Sequence, residues 1–279
     1  MNELDDFFTD GIYTSSVGQY LVAIGEKPSR GESTFDNIGP SDIQFHGLLF
    51  VWPDYWSHFK NQWDDFKHSS PGRLDLLYSV ADANDVPLLW VSEADSNWRE
   101  NKGTVEVGEV SRHENKYSVD TSSVKTSDFA DYLQDIFGTN LGSSGTGKEA
   151  EKTIPLQAWG RTNLPSDYIT LDLDIVVTDS NNRVKGVGEI KRTYQSIASW
   201  SPYEFPDKLN YYLQSAVCSG LDATSFIIKH QKEPVTEDNY VKYYEYHCDS
   251  TTSDWLDIDV EEKLSGRELL EKVEEMSSE

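Results

Sequence analysis

The stretch DIVVTDSNNRVKGVGEIK, residues 174–191, decides how this chain is read. Just ahead of it and into it, Ile169, Leu171, Leu173, Ile175 and Val177 fall on odd positions, with Asp172 and Asp174 between them. A period of two is that of a strand, so residues 169–177 are predicted as one strand with both aspartates on one face. The run Thr178-Asp179-Ser180-Asn181-Asn182 is dense in turn formers and reads as a hairpin loop. A second strand then starts near Arg183. Along it Val187, Glu189 and Lys191 point one way and Val184 and Ile190 the other, with Gly186 and Gly188 thinning that second face.

An acid on one strand and an acid-x-lysine triplet on its neighbour form the outline of metal-dependent phosphodiester chemistry. Mg²⁺ is a hard cation that prefers carboxylate, carbonyl and water oxygens, so an Asp and a Glu on adjacent strands suit it beside a phosphate. A lysine there is a compact charge that orients or deprotonates water, or offsets charge in the transition state. Acid-x-lysine triplets recur at Asp65-Phe66-Lys67, Glu100-Asn101-Lys102, Glu114-Asn115-Lys116 and Glu261-Glu262-Lys263. None of these ends a glycine-containing apolar strand that follows an acid-bearing one.

The next element fits the same plan. In PDKLNYYLQSAVCS, residues 206–219, the positions Leu209, Tyr212, Leu213, Ala216 and Val217 have the spacing of an amphipathic helix, with Gly220 as its stop. TSFIIK, residues 224–229, reads as a third strand. Strand, hairpin, strand, helix, strand predicts an α/β layering in which the helix covers a sheet. Gln214 lies off the apolar stripe, either over the strand ends or facing solvent.

LDLDIVV, a polar turn, VGEIKR and a helix carrying YYLQ together resemble the PD-(D/E)xK nuclease superfamily, especially its RecB-like and phage-exonuclease (YqaJ-type) branches. The resemblance covers residues 152–230. It implies a restriction-endonuclease-like core, a mixed central sheet flanked by helices, with an N-terminal α/β region added. It also implies Asp174 and Glu189 as metal-binding acids, Lys191 as the catalytic lysine and Gln214 as the accessory residue of the following helix. Asp172 competes for the first role; Asp174 is preferred because apolar residues follow it directly. The implied cofactor is Mg²⁺, with Mn²⁺ as a substitute, and the implied partner is DNA. Such nucleases carry an upstream helical acid, for which Glu149, Glu151, Asp128, Asp131 and Asp135 all compete. GIYTSSVGQYLVAIG, residues 11–25, is similar to the opening helix of phage-type exonucleases.

The chain has 279 residues, enough for one large or two modest domains. The expected division is an N-terminal α/β region over 1–140, a nuclease core over 141–250 and an acidic C-terminal helical segment over 251–279. Its 49 acids against 24 bases give a formal net charge of −25, spread from end to end. Such a surface repels itself and DNA at low salt, and at molar salt the Debye length of about 3 Å removes most of that penalty. A salt-adapted protein is therefore expected; the rival readings are an acidic DNA mimic or interaction protein, and a catalytically silent nuclease fold that binds nucleic acid. Arg161, Arg183, Lys185, Lys191, Arg192, Lys208, Lys229 and Lys232 form a weakly basic island within the nuclease segment. The loop 193–205 adds Tyr194, Trp200, Tyr203 and Phe205, which either stack on bases or pack back on the core.

Cys218 and Cys248 show no metal or disulfide spacing, and the six histidines show no zinc motif. With an acidic start and no apolar run of membrane length, a cytoplasmic protein with no membrane partner is expected, and a homo-oligomer is left open. In the N-terminal half, residues 43–52 and 86–92 read as strands, 55–67 and 72–83 as helices, and 104–119 as a hairpin. Trp52, Trp56 and Trp63 read as core residues. Residues 137–148 read as a linker, whose GSSGTGK fits only part of a phosphate loop. Ser265 and Glu268 predict a capping box for a C-terminal helix. The expectation is thus a Mg²⁺-dependent deoxyribonuclease, exonuclease or repair and recombination nuclease in kind.

Overall fold

A computed structural model describes residues 20–28, 38–52, 71–97, 100–114, 116–139, 156, 159–160, 163–165, 167–181, 183–193, 197–202, 208–231, 240–248 and 256–278. Among them are four α-helices and two mixed sheets. The strands are β1 (Tyr20–Glu26), β2 (Gln44–Trp52), β3 (Leu88–Asn97), β4 (Lys102–His113), β5 (Lys116–Lys125), β6 (Tyr168–Asp172), β7 (Ile175–Thr178), β8 (Val184–Thr193), β9 (Thr224–Gln231), β10 (Tyr240–His247) and β11 (Asp257–Ser265). The helices are α1 (Pro71–Ala83), α2 (Phe129–Phe137), α3 (Lys208–Ser219) and α4 (Gly266–Ser278).

The first sheet runs β5-β4-β3-β2-β1-β6 and the second β11-β10-β9-β8-β7. Each has a single parallel pair, β2 with β3 and β8 with β9, and both are reached through a connection that includes a helix, as parallel neighbours require. The expected mixed sheet flanked by helices is therefore two mixed sheets, and β6 pairs with β1 rather than in the sheet of the β7–β8 hairpin.

The predicted single strand over 169–177 is two strands in different sheets. β6 pairs antiparallel with β1 as far as Asp172, and β7 pairs with β8 from Ile175 onward. Alternation survives the change of sheet: Ile169, Leu171, Leu173 and Ile175 are all buried. Because both stretches present the same period, nothing in the spacing marks the break.

A central core lies between the sheets. It takes Leu21, Leu48, Phe50, Trp90 and Leu171 from the first, Val176, Val184 and Val187 from the second, and Leu74, Leu77 and Val80 of α1 with Tyr212, Leu213 and Val217 of α3 between them. Full burial contributes about 1.5–3 kcal/mol per large apolar side chain, which makes this layer the main cohesive one. Asn84, just past α1, ties the two inner helices together by donating from Nδ2 to the carbonyls of Val80 at 2.9 Å and Val217 at 3.1 Å. On the outer face of the first sheet, Phe129 and Leu133 of α2 cover Val22, Leu49 and Val91. On the outer face of the second, Leu269 and Val273 of α4 cover Ile175, Phe226 and Tyr243.

Local chemistry explains the ends. Gly138 at φ 64 terminates α2 in the left-handed conformation, its N–H bonding Gln134 O. The capping box opens α4 as expected: Ser265 N donates to Glu268 Oε2 at 2.7 Å, and Glu268 N to Ser265 Oγ at 3.3 Å. In the β7–β8 hairpin, Asp179 Oδ1 accepts the N–H groups of Asn181 at 2.8 Å and Arg183 at 2.9 Å, the side-chain-closed turn that its composition predicts.

Four further expectations are corrected. Val184 shares the central core with Val187 rather than the face of Ile190, because the β7–β8 register shifts between Val177 and Thr178 and turns Val184 over. Tyr20 to Gly25, expected within an opening helix, lie in β1, where Leu21 and Ala23 face one core and Val22 and Ile24 the other. Asp128, Asp131 and Asp135 are exposed, the first just before α2 and the others on it, and α2 covers the outer face of the first sheet. The helix over 55–67, Trp56, Trp63, Glu149, Glu151 and the GSSGTGK segment lie outside the described residues. Residues 257–265, within the expected C-terminal helical segment, form β11, paired with β10.

Candidate functional site

Two sheets meet at one residue. Leu173 donates its N–H to Leu21 O of β1 at 2.8 Å, still part of the first sheet. The next residue, Asp174, belongs to the second: its Oδ2 accepts the N–H of Ile190 at 2.8 Å. Residues 172 and 174 thus flank the crossing, and β8 brings Glu189 and Lys191 up beside it.

On β8 the face that carries Val187 into the central core also carries Glu189 and Lys191, as the two-residue period predicts. Glu189 is 8% exposed. Its Oε1 lies 2.5 Å from Lys191 Nζ, a largely buried ion pair that also sits 5.7 Å above the Tyr211 ring of α3. Such a pair is weak evidence for stability, since desolvation offsets most of the attraction.

Asp172 is raised to about 8, first because it is withdrawn from water and then because the negative charges of Asp174 and Glu189 act on it. Three carboxylates, remote in pairing partner and drawn from both sheets, therefore act on one another. All three acids and the lysine singled out from the sequence are brought to one region. Among the described residues no three Asp, Glu, His or Cys side chains stand as a ready cation cage. The donors here are hard carboxylate oxygens, and Glu189 Oε1 is engaged by Lys191.

Gln214 is neither solvent-facing nor over the strand ends. It is 1% exposed, and its Nε2 donates to Val187 O at 2.7 Å and Phe226 O at 3.1 Å, clamping β8 to β9 from the inner helix. Its contact with the site runs through the strand that bears Glu189 and Lys191.

Two neighbours stand at the site that the sequence did not place there, Lys229 having been expected only as part of the basic island. Lys229 pairs in register with Lys191, is 4% exposed and places its Nζ 4.3 Å from the Trp200 ring centroid. Tyr246 is buried beside Tyr211, at 5.4 Å between ring centroids, and its hydroxyl is held well above the usual phenol range by burial, with Cys248, Cys218 and Glu189 adding to it. The signal for Lys229 was available: in TSFIIK it falls two residues after the buried Ile227, on the same face. Trp200 packs back on the core with Tyr244, 5.7 Å between ring centroids, the second of the two expectations for the 193–205 loop; Tyr194, Tyr203 and Phe205 lie outside the described residues.

The basic island is not an outward patch. Lys191, Lys208 and Lys229 are turned inward, whereas Arg183 is exposed and Lys185 partly so; Arg161 and Lys232 lie outside the described residues. Both cysteines are free thiols. Burial raises each to about 12, and Cys218 adds to the rise of Cys248 through space. Among the described residues no helix is long and apolar enough to cross a membrane.

No protein-family model and no curated protein matches this chain. Among solved structures, the sex pheromone staph-cAM373 precursor is similar over 78% of this chain and 71% of that one, at 10% identity and a TM-score of 0.20. The sex pheromone precursor from Lactobacillus salivarius subsp. salivarius UCC118 is similar over 86% and 74%, at 10% identity and a TM-score of 0.15. At such scores neither likeness bears on fold or function.

Proposed function

We propose that this protein is a metal-dependent deoxyribonuclease of the PD-(D/E)xK type, with a restriction-endonuclease-like core built on β7, β8, α3 and β9. It hydrolyses DNA phosphodiesters as an exonuclease or as a repair or recombination nuclease, in a salt-adapted background. The observation that carries this reading is the convergence of Asp172, Asp174, Glu189 and Lys191 at the crossing between the sheets.

Asp174 and Glu189 act on Asp172 as like charges, and a hard divalent cation is the counter-charge that suits such a set. Asp174 and Glu189 would hold Mg²⁺, or Mn²⁺ in its place, with Asp172 as a further oxygen donor. A divalent cation held there would supply Lewis-acid polarisation of a phosphate oxygen and of water. Asp174 is already fixed for this by the Ile190 N–H, so its second oxygen has a defined position relative to β8. Lys191 holds its ammonium beside Glu189, where it orients the attacking water and offsets charge on the phosphate. Gln214 keeps β8 and β9 in register beneath them.

The test is incubation of the purified protein with linear single- and double-stranded DNA at high KCl, with Mg²⁺, with Mn²⁺ or with EDTA. Wild type cleaves only with a divalent cation, and Lys191→Ala loses on the order of 10²-fold or more in rate. Equal behaviour of the two proteins overturns the assignment. DNA binding without turnover marks a silent nuclease fold, and binding to basic proteins without any DNA interaction marks a DNA mimic.

A further inference from the structure

We infer a second site, at the hairpin end of β7 and β8, that binds a phosphate group. An open cleft of about 460 Å³ lies there, lined by Asp75 and Ser79 of α1, Arg112 of β4, Asn181 and Arg183 of the hairpin, and Leu221 after α3. That size falls in the range of small-ligand pockets, roughly 300–1,000 Å³. Arg183 directly precedes β8, six residues from Glu189 and roughly 20 Å away at about 3.3 Å per extended residue, so the cleft is separate from the acid cluster.

Its donors come from separate elements. Arg183 is braced by Asp179, whose Oδ2 takes both Nε and Nη2 at 2.6 Å; Nη1 has no protein partner among the described residues. Arg112 stacks over the Tyr117 ring at 5.4 Å and forms a long ion pair with Asp75, Nη2 to Oδ1 at 3.9 Å. That same Asp75 oxygen accepts the Tyr117 hydroxyl at 2.5 Å, which fixes the carboxylate against the wall of the cleft. Ser79 gives its proton to Asp75 O at 2.7 Å and is left as an acceptor. Two guanidinium groups and the exposed Asn181 amide therefore face one cleft, the donor type suited to tetrahedral oxyanions. Each guanidinium is oriented by a carboxylate, Arg183 by Asp179 and Arg112 by Asp75, which leaves its other N–H groups as donors of fixed direction.

The experiment is calorimetric titration of the full chain at low ionic strength in EDTA with inorganic phosphate, a nucleoside 5′-monophosphate and a short single-stranded oligodeoxynucleotide in turn. Saturable binding is expected, weakened by about tenfold or more in Arg112→Gln and in Arg183→Gln. Arg267→Gln, which removes the same charge from the exposed face of α4, leaves the affinity unchanged. Binding of phosphate or mononucleotide identifies a free phosphate compound as ligand, and binding of the oligonucleotide alone identifies the nucleic-acid backbone; either supports the site. Absence of saturable binding by all three, or an equal loss in Arg267→Gln, overturns it. Because binding is read without turnover or metal, this failure is distinguishable from failure of the nuclease reading.

Discussion

Asp174 Oδ2 accepts the Ile190 N–H at 2.8 Å, and this side-chain bond begins the β7–β8 ladder one residue before β7 itself. The carboxylate stands where a strand carbonyl would otherwise pair. The site residue is thereby also the hinge pin of the crossing between sheets, and its structural and chemical roles are separable by substitution.

Asp174→Asn keeps an acceptor for the Ile190 N–H, whereas Asp174→Ala leaves that donor without one. A hydrogen bond to a charged group contributes about 1.5–3 kcal/mol. Urea unfolding is expected to show the Ala variant less stable by about that amount and the Asn variant by about 1 kcal/mol or less. Both lose divalent-dependent cleavage under the proposed function. Equal stability of the two variants refutes the structural role.

Gln214 bonds two backbone carbonyls on adjacent strands from a site 1% exposed. Gln214→Leu keeps the volume but removes both bonds, at a cost of about 1–3 kcal/mol. Gln214→Glu sets a carboxylate against the same carbonyls and should be worse at pH 7 than at pH 5, where protonation restores a donor. Denaturation midpoints for both variants at the two pH values check this, and a pH-independent Glu variant contradicts it.

Gly188 faces Phe226 across the β8–β9 pair, and a Cβ there would fall within the Phe226 ring, which is fully buried. Gly188→Ala forces that ring aside, for which overpacking costs of about 1–3 kcal/mol are typical. Thermal unfolding measures the loss. The companion Phe226→Leu in the same background is expected to recover part of it, and no recovery would point to a backbone cause instead.

Glu189, Lys191 and Asp179 show what was legible in the sequence. Alternation placed Glu189 and Lys191 on one face, and turn chemistry placed the Asp179 hairpin, because both are local and survive any tertiary arrangement. The change of sheet after Leu173 was hidden, since odd positions are buried on either side of it. Gln214 was ambiguous for a related reason: α3 lies between two sheets, so positions off its apolar stripe are buried too, and a single-stripe reading underestimates its core. β10 and β11 went unassigned because their strands carry lysines and glutamates; β11, at an edge, alternates only between partly buried and exposed positions up to Lys263. Arg112 belongs to the cleft only through the sheet's folding, and no spacing relates it to Arg183.

Asp172 offers a pH test. A carboxyl of about 3.9 in the unfolded chain is raised to about 8 on folding, so the folded state holds a proton that the unfolded state releases between those values. Stability of the metal-free protein should therefore fall as pH rises from about 4 to about 8 and level off above. Asp172→Asn has no proton to lose, so its profile lacks that component and the variant becomes the more stable protein toward pH 8. Urea midpoints in EDTA from pH 5 to 9 decide it, and parallel profiles for wild type and variant would show that Asp172 titrates normally.

The net charge of −25 yields a prediction about salt. On α4, Glu271, Glu274 and Glu275 are exposed around the buried Leu269 and Val273, so part of the repulsion is concentrated on one small surface. Raising KCl from 0.1 to 1 M shortens the Debye length from about 10 to about 3 Å and screens that repulsion. The Tm should rise across this range, and rise less in a variant carrying Glu274→Gln and Glu275→Gln, which starts with two fewer charges. Calorimetry at matched concentrations of KCl and of an uncharged osmolyte separates screening from general solvent exclusion. An equal gain in both proteins would assign the salt effect to solvent exclusion rather than charge.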